Sequence, residues 1–393
     1  MSAVTAVEQV IGESAAPLRV PGISVVVTER IEEVEAAWRQ LEALGIDCPG
    51  QGLDFVRTWL DTFAVRKEDR VFVLAALNDR PVVLLPLYRK RWMGLSVATW
   101  LTGDHLGQQA PLVDKGAFAA MSDFDRHQVW NRLARVVLDT DLISLPNVPT
   151  DIARPTGLAD LFHSMKGADR GYRARFESWE ECDGAQRNKH RRKVDRQQAA
   201  KLAALGVPHF EVLKPGDPVD DVIETMFAQK AVRFGEMGIA DPFAPPHVRA
   251  FYRDVFDRAG GVLHVLRLDG EVIAVRYNLT AGGGLYCLIS SMTTCAATQS
   301  GSPGKQCLLG VMQSAFDEGY AFVDLGRGEN DEKRQWCNER VELGHYCHVL
   351  TPLGHIAWIV QRLGEHVRAS VKGNRNWFAL AKRLRRGVAG GKS

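Results

Sequence analysis

Residues 302–329, SPGKQCLLGVMQSAFDEGYAFVDLGRGE, decide the fold. Leu308, Leu309, Met312 and Phe316 recur at helical spacing and Gly319 follows them, so a helix is expected over 304–318. Residues 321–325 (AFVDL) then read as a strand. Upstream, 284–290 is a third strand after a hairpin, and 291–303 is a loop of small residues. Strand, small-residue loop, helix, strand is a crossover unit, which sets its two strands parallel. The first turn of a helix leaves amide hydrogens unpaired and partly positive. Gly301-Ser-Pro-Gly304 is therefore a candidate diphosphate site, with glycine permitting close approach and Lys305 adding a point charge. Read alone, it is more often a plain Ser-Pro helix start. It is neither a GxxxxGK[ST] phosphate loop nor a GxGxxG dinucleotide loop.

Outward from this unit, 262–268 and 271–279 flank Asp269-Gly270, a pair suited to the positive φ of a tight hairpin turn. Helical periodicity marks 222–234 and 247–259, and 209–213 is strand-like. The first half repeats this order loosely. It has a strand at 23–28, helices over 31–44 and 55–63, a hairpin from 71–76 and 82–88, and a strand at 97–101. A helix over 124–138 and a strand at 141–145 follow. Residues 146–172 are punctuated by Pro and Gly and read as a connector. Six of the ten residues 187–196 are Arg or Lys, in a helical stretch that Gly206 stops. Residues 356–386 are amphipathic, with eight Arg or Lys and no acid from Arg368 onward.

The chain has 393 residues, 46% hydrophobic and 24% charged, which excludes disorder as a whole-chain reading. Forty-nine basic residues against 47 acidic ones give a net charge of +2, too balanced for a bulk polyanion binder. The seven cysteines show no CxxC or zinc spacing, so a reduced, cytoplasmic setting and no metal are expected. Cys337 with His345 and His348 lacks a second thiol pair. No signal peptide is expected, because the start carries Glu8 and Glu13 without an early basic residue. Nor does any run of apolar residues suit a spanning helix.

Asp324 ends a predicted strand beside Gly326 and Gly328, where a carboxylate either accepts a proton or bonds the turn. Glu329 is a second candidate base. Arg191 and Arg192 are candidates for a phosphate contact or for a solvated helix face.

Taken in order, the hairpin, third strand, loop, helix and following strand resemble the acetyl-CoA-binding half of GNAT acetyltransferases. Ser302-Pro-Gly304, then residues 319–329, then Lys333 and Trp336 further resemble the CelD-like, polysaccharide-associated branch, itself similar to Fem-type peptidyltransferases. Leu85-Pro-Leu-Tyr88 and the basic 187–196 stretch fit as well. The resemblance covers roughly 30–350. It departs at Glu332, where the family has Tyr, and at Gln108-Gln109, which stand in place of an aromatic-acidic pair.

This resemblance implies an α/β fold with a mixed sheet, in two tandem GNAT-like domains and a basic C-terminal helical extension. The expected boundaries are a leader at 1–20, domains at 21–165 and 166–352, and the extension at 353–393. It implies an enzyme, an acetyl-CoA-dependent N-acetyltransferase that transfers directly, without a covalent intermediate, to an amino group of a cell-envelope or exopolysaccharide precursor. Ser302, Gly304, Lys305 and Gln306 would cradle the pyrophosphate. Asp324 would act as base, Lys333 would stabilise charge, and Arg191, Arg192 and Trp336 would meet the acceptor, a small-molecule or lipid-linked sugar. The alternatives are a Fem-type aminoacyl-tRNA-dependent transferase and a non-catalytic nucleic-acid or lipid-surface module. Nucleic acid is disfavoured because no aromatic residues interleave the basic run. The basic C-terminal helix allows peripheral contact with the inner face of the membrane.

Overall fold

The computed structural model describes residues 22–92, 94–103 and 106–373. The expected leader and the basic run beyond 373 lie outside the described residues. Strands β1 (Ile23–Thr28), β2 (Arg70–Leu77), β3 (Arg80–Trp92) and β4 (Leu95–Trp100) form an antiparallel meander. Helices α1 (Glu35–Ala43) and α2 (Leu53–Phe63) interrupt it. The short β5 (Leu112–Val113), α3 (Lys115–Ala120) and α4 (Asp123–Arg135) lead to β6 (Leu142–Pro149), which runs parallel to β4. Short helices α5 (Thr150–Ala153) and α6 (Leu158–Leu161) precede β7 (His163–Ala174).

The second half repeats this order. After α7 (Trp179–Gln186) and α8 (Lys189–Ala203) come β8 (Pro208–Leu213), α9 (Asp220–Met237) and α10 (Pro246–Arg258). The meander continues through β9 (Gly261–Leu268), β10 (Glu271–Ala281) and β11 (Gly284–Met292). Then α11 (Ala296–Gln299) and α12 (Pro303–Asp317) cross to β12 (Phe322–Arg327), parallel to β11. Helix α13 (Asp331–Trp336), β13 (Glu339–Val349) and α14 (Pro352–Gly373) close the chain. Both hairpin turns form as their sequences require: Asn78 and Asp79 have φ of 49° and 63°, Asp269 and Gly270 of 49° and 86°.

One sheet spans both halves, in the order β1-β2-β3-β4-β6-β13-β7-β12-β11-β10-β9-β8. The last strands are exchanged: β7 pairs with β12 of the second half, and β13 pairs with β6 of the first. The two meet each other antiparallel at the centre. Residues 163–172, expected within a connector, are thus strand, and the expected boundary at 165/166 falls inside β7. Its polar, glycine-containing sequence HSMKGADRGYRA has no apolar alternation, and ladders on both sides hold it extended instead. The halves also share a core. Phe55 and Trp59 of α2 meet Phe251 of α10 edge-on, with ring centroids 5.5 and 5.3 Å apart.

The two parallel pairs behave differently. Strands β4 and β6 pair over two residues, Val97↔Leu142 and Ala98↔Ile143, then part. That gap is filled: Trp100 Nε1 donates to Pro146 O at 3.0 Å, and the Gln109 amide to Asn147 O at 3.1 Å. Strands β11 and β12 pair from Gly284↔Phe322 to Tyr286↔Asp324 and then splay; one cavity is lined by both strands at that opening, and a larger cleft adjoins the end of β11.

Candidate functional site

A cleft of about 1310 Å³ lies between α8, the end of α9, the end of β11, the start of α12, and α13. Its cationic lining includes Arg191, Lys230, Arg233, Arg276 and Lys305. Arg233 pairs with Glu236 at 3.0 Å. Arg276 is buried; it pairs with Glu332 and donates to Gly304 O at 3.3 Å, tying the first turn of α12 to α13. Lys230 stands over the Phe234 ring, 4.8 Å from its centroid, and burial lowers its pKa. Lys305 is exposed on the cleft wall.

The start of α12 is more closed than its sequence suggests. Ser302 sits in the left-handed region at φ 52°, and its carbonyl accepts the amides of Lys305 (3.0 Å) and Gln306 (3.1 Å). Pro303 has no amide hydrogen. Gly304 therefore supplies the first-turn N–H still open to a ligand. The Gln306 side chain donates to Asp195 O of α8 at 3.1 Å, so it braces two helices. Of the four expected cradle residues, Gly304 and Lys305 line the cleft. Ser302 caps the helix through its carbonyl, and Gln306 holds α8.

The acceptor expectations are redistributed. Arg191 and Trp336 line this same cleft, with the guanidinium 4.4 Å from the indole centroid. Arg191 Nη1 donates to Gln186 O and Gln335 O at 3.0 and 2.9 Å, and burial lowers its pKa. Arg192 instead pairs with Asp183 at 2.8 Å, so the adjacent arginines do not form one phosphate clamp. Successive helical residues point about 100° apart, which separates them.

A second cavity of about 470 Å³ adjoins the splayed strands. Leu106, Gly107 and Gln108 of the first half and Tyr286, Cys287, Asp324, Gly326 and Lys333 of the second line it. Asp324 Oδ2 accepts from Arg173 Nε at 2.9 Å and from Gln108 Nε2 at 3.2 Å, while Oδ1 accepts from the Gly326 amide at 2.8 Å. Arg173 in turn donates to Gln108 Oε1 at 3.1 Å. Burial raises the Asp324 pKa against the pull of Arg173. Asn330 caps α13 by accepting the Lys333 amide at 2.8 Å, which turns Lys333 inward. Its ammonium donates to Arg327 O, and burial lowers its pKa against the charge of Asp324. Asp324 and Lys333 are thus brought together. Glu329 lines neither cavity and pairs with Arg334 at 3.5 Å.

Sequence reasoning missed Arg173, Arg276 and the wall made by Gln108. Arg173 lies in the unrecognised β7. Arg276 is the one charge in the buried middle of β10, and Glu332 was the available sign of its partner. Cys287 faces the second cavity, but burial pushes its thiol up to about 12, which removes it as a nucleophile near neutral pH. No group of three or more His, Cys, Asp or Glu that could hold a metal occurs among the described residues.

Residues 189–334 match the family described as an acetyltransferase (GNAT) domain, which supports enzymatic acyltransferase activity. No curated protein matches the chain. Among solved structures, a crystal structure of FemX is similar at 10% identity, covering 81% of this chain and 99% of that one, with a TM-score of 0.55. The structure of L-PGS from Bacillus licheniformis is similar at 10% identity, 86% and 98% coverage and a TM-score of 0.50. At these identities the likeness is one of fold.

Proposed function

We propose that the protein is an acyl-CoA-dependent N-acyltransferase with two GNAT-like units, of which the second binds the donor. The observation that carries this reading is the opening between β11 and β12, flanked by one large cationic cleft and one smaller cavity that buries Asp324 and Lys333. Gly304 N–H and Lys305 would hold the donor diphosphate, with Lys230 on the facing wall. The thioester supplies the acyl group. The smaller cavity would receive the acceptor amine, its outer wall built by Leu106, Gly107 and Gln108.

Lys333 sits where its ammonium would stabilise negative charge developing on the attacked carbonyl oxygen. Asp324, with its pKa raised by burial, would take the proton released as the C–N bond forms and the C–S bond breaks. Cys287 is protonated and takes no covalent part. This makes transfer direct, with positioning as the main contribution of the protein.

For the acceptor, the proposal is an amino group on a cell-envelope or exopolysaccharide precursor, free or lipid-linked, modified at the cytoplasmic side. The placement in the CelD-like branch rests on the 319–336 motif. The basic α8 wall also suits a Fem-type donor, an aminoacyl-tRNA. Thermal shift separates the two: acetyl-CoA should stabilise the protein, and stabilisation by aminoacyl-tRNA alone would reject the choice made here. Product mass spectrometry with amino-sugar acceptors then tests the transfer.

A further inference from the structure

Helix α14 has two apolar sides, and only one is covered. Ala357 and Trp358 pack toward Leu95, Val97, Leu142 and Cys347. Leu353, Ile356, Val360 and Leu363 follow one another at spacings of three or four and are 43–61% exposed, and Ile359 at 49% widens the stripe. Five of the fourteen exposed large apolar side chains among the described residues thus fall on three turns of one helix. Scattered apolar residues need no explanation, but a contiguous set marks a contact surface.

Charge identifies what it contacts. From 352 to 393 the sequence has nine Lys or Arg and one acid, Glu365. Arg362 lies over the Trp358 ring, 5.2 Å from its centroid, beside the stripe. Exposed Lys90 stands opposite Val97 in the β3–β4 ladder, so it shares the sheet face that α14 covers. A second copy docking on this stripe by a two-fold axis would bring Arg362 and Lys90 toward their own copies, like charge on like. An anionic surface that also accepts apolar side chains meets both features. Among the described residues no helix is long and apolar enough to cross a membrane, so the contact would lie in the interface plane.

We infer that α14 docks the protein on an anionic lipid surface, its apolar stripe at the headgroup boundary and its basic neighbours on lipid phosphates. The inference stands apart from the acyl-transfer reading, and neither depends on the other. The test sediments the whole 393-residue chain with phosphatidylcholine vesicles, with or without phosphatidylglycerol. Binding should require phosphatidylglycerol, weaken with salt, and fall about tenfold in Ile356→Ser/Leu363→Ser. Both side chains are exposed, so the thermal midpoint of that variant should match the parent. Lipid binding equal to the parent's would show that basic charge alone acts, and would overturn the role of the stripe. Absence of binding by the parent at low salt would overturn the inference. So would a parent dimer in sedimentation equilibrium that the double variant dissociates while neither binds lipid.

Discussion

Gln108 Nε2 lies 3.2 Å from Asp324 Oδ2, so a loop of the first half donates to a buried carboxylate of the second. Arg173, on the exchanged strand β7, bonds both residues. The wall of the smaller cavity is therefore one polar network drawn from three distant parts of the chain. Its stability and its chemistry should separate by substitution.

Asp324→Ala leaves the Arg173 cation buried without its counter-charge, and should cost about 3–5 kcal/mol in urea unfolding. Asp324→Asn also removes the counter-charge but keeps an acceptor for Arg173, so it should cost less stability than Asp324→Ala, and in the folded protein it should lower turnover more than donor affinity. Undiminished turnover in the Asn variant would clear Asp324 as proton acceptor.

Gly304→Leu should weaken acetyl-CoA binding at least roughly tenfold, because the new side chain enters the cleft beside the open amide. A Cβ there would meet Met292 Sδ at 2.9 Å, the far end of a flexible side chain. Stability should thus stay within about 1 kcal/mol, helped by the better helix propensity of Leu. Calorimetric titration and thermal melting measure the two effects, and an unchanged dissociation constant would remove this turn from the donor site.

Lys333 should give turnover an alkaline limb. Burial lowers its pKa below 10.5 against the pull of Asp324, so its charge is lost, as pH rises, earlier than for an ordinary lysine. Lys333→Met should lower kcat by about a hundredfold. Lys333→Arg, which stays charged, should keep part of the activity and lose the limb. A limb that persists in the Arg variant would belong to another group.

His264 should make the fold acid-sensitive. Burial, assisted by Arg276, lowers its pKa from 6.5 to about 3, and its Nδ1 accepts from Asn278 Nδ2 at 2.8 Å. The folded pKa is depressed, so this stability is full above pH 6.5 and is lost as pH falls toward 3. In that window the unfolded chain binds a proton that the folded ring refuses. The slope should approach about 1.4 kcal/mol per pH unit. His264→Gln should flatten it in urea melts between pH 6 and 4, and an identical slope would assign acid sensitivity elsewhere.

Much of the fold was legible because local signals agreed with it. Helix α12 forms at 303–317 against an expected 304–318, since its apolar stripe and Gly319 act over neighbouring residues. The Asp269-Gly270 hairpin follows from backbone freedom alone. Strand β7 was illegible because its extended form comes from β12 and β13, more than 140 residues away. The phosphate cradle was half legible. Sequence placed Gly304 and Lys305 at the helix start, but Ser302 O taking two amides and Gln306 reaching Asp195 O depend on backbone angles and on a neighbouring helix.

By itself the sequence determined the period of most helices and strands, β7 excepted, the two hairpin turns, and the crossover that sets β11 and β12 parallel, because these depend on side-chain pattern and local torsion. Only the tertiary structure decided that the halves exchange their last strands, that Trp100 and Gln109 fill one strand gap while the other stays open, and that Gln108 reaches Asp324. The physical reason is distance along the chain. The exchanged strands and the Gln108–Asp324 bond join residues that become neighbours only when one sheet closes across both halves, the Trp100 and Gln109 bonds reach Pro146 and Asn147 within the first half, and no local preference encodes which partner a buried carboxylate or an unpaired strand edge will find.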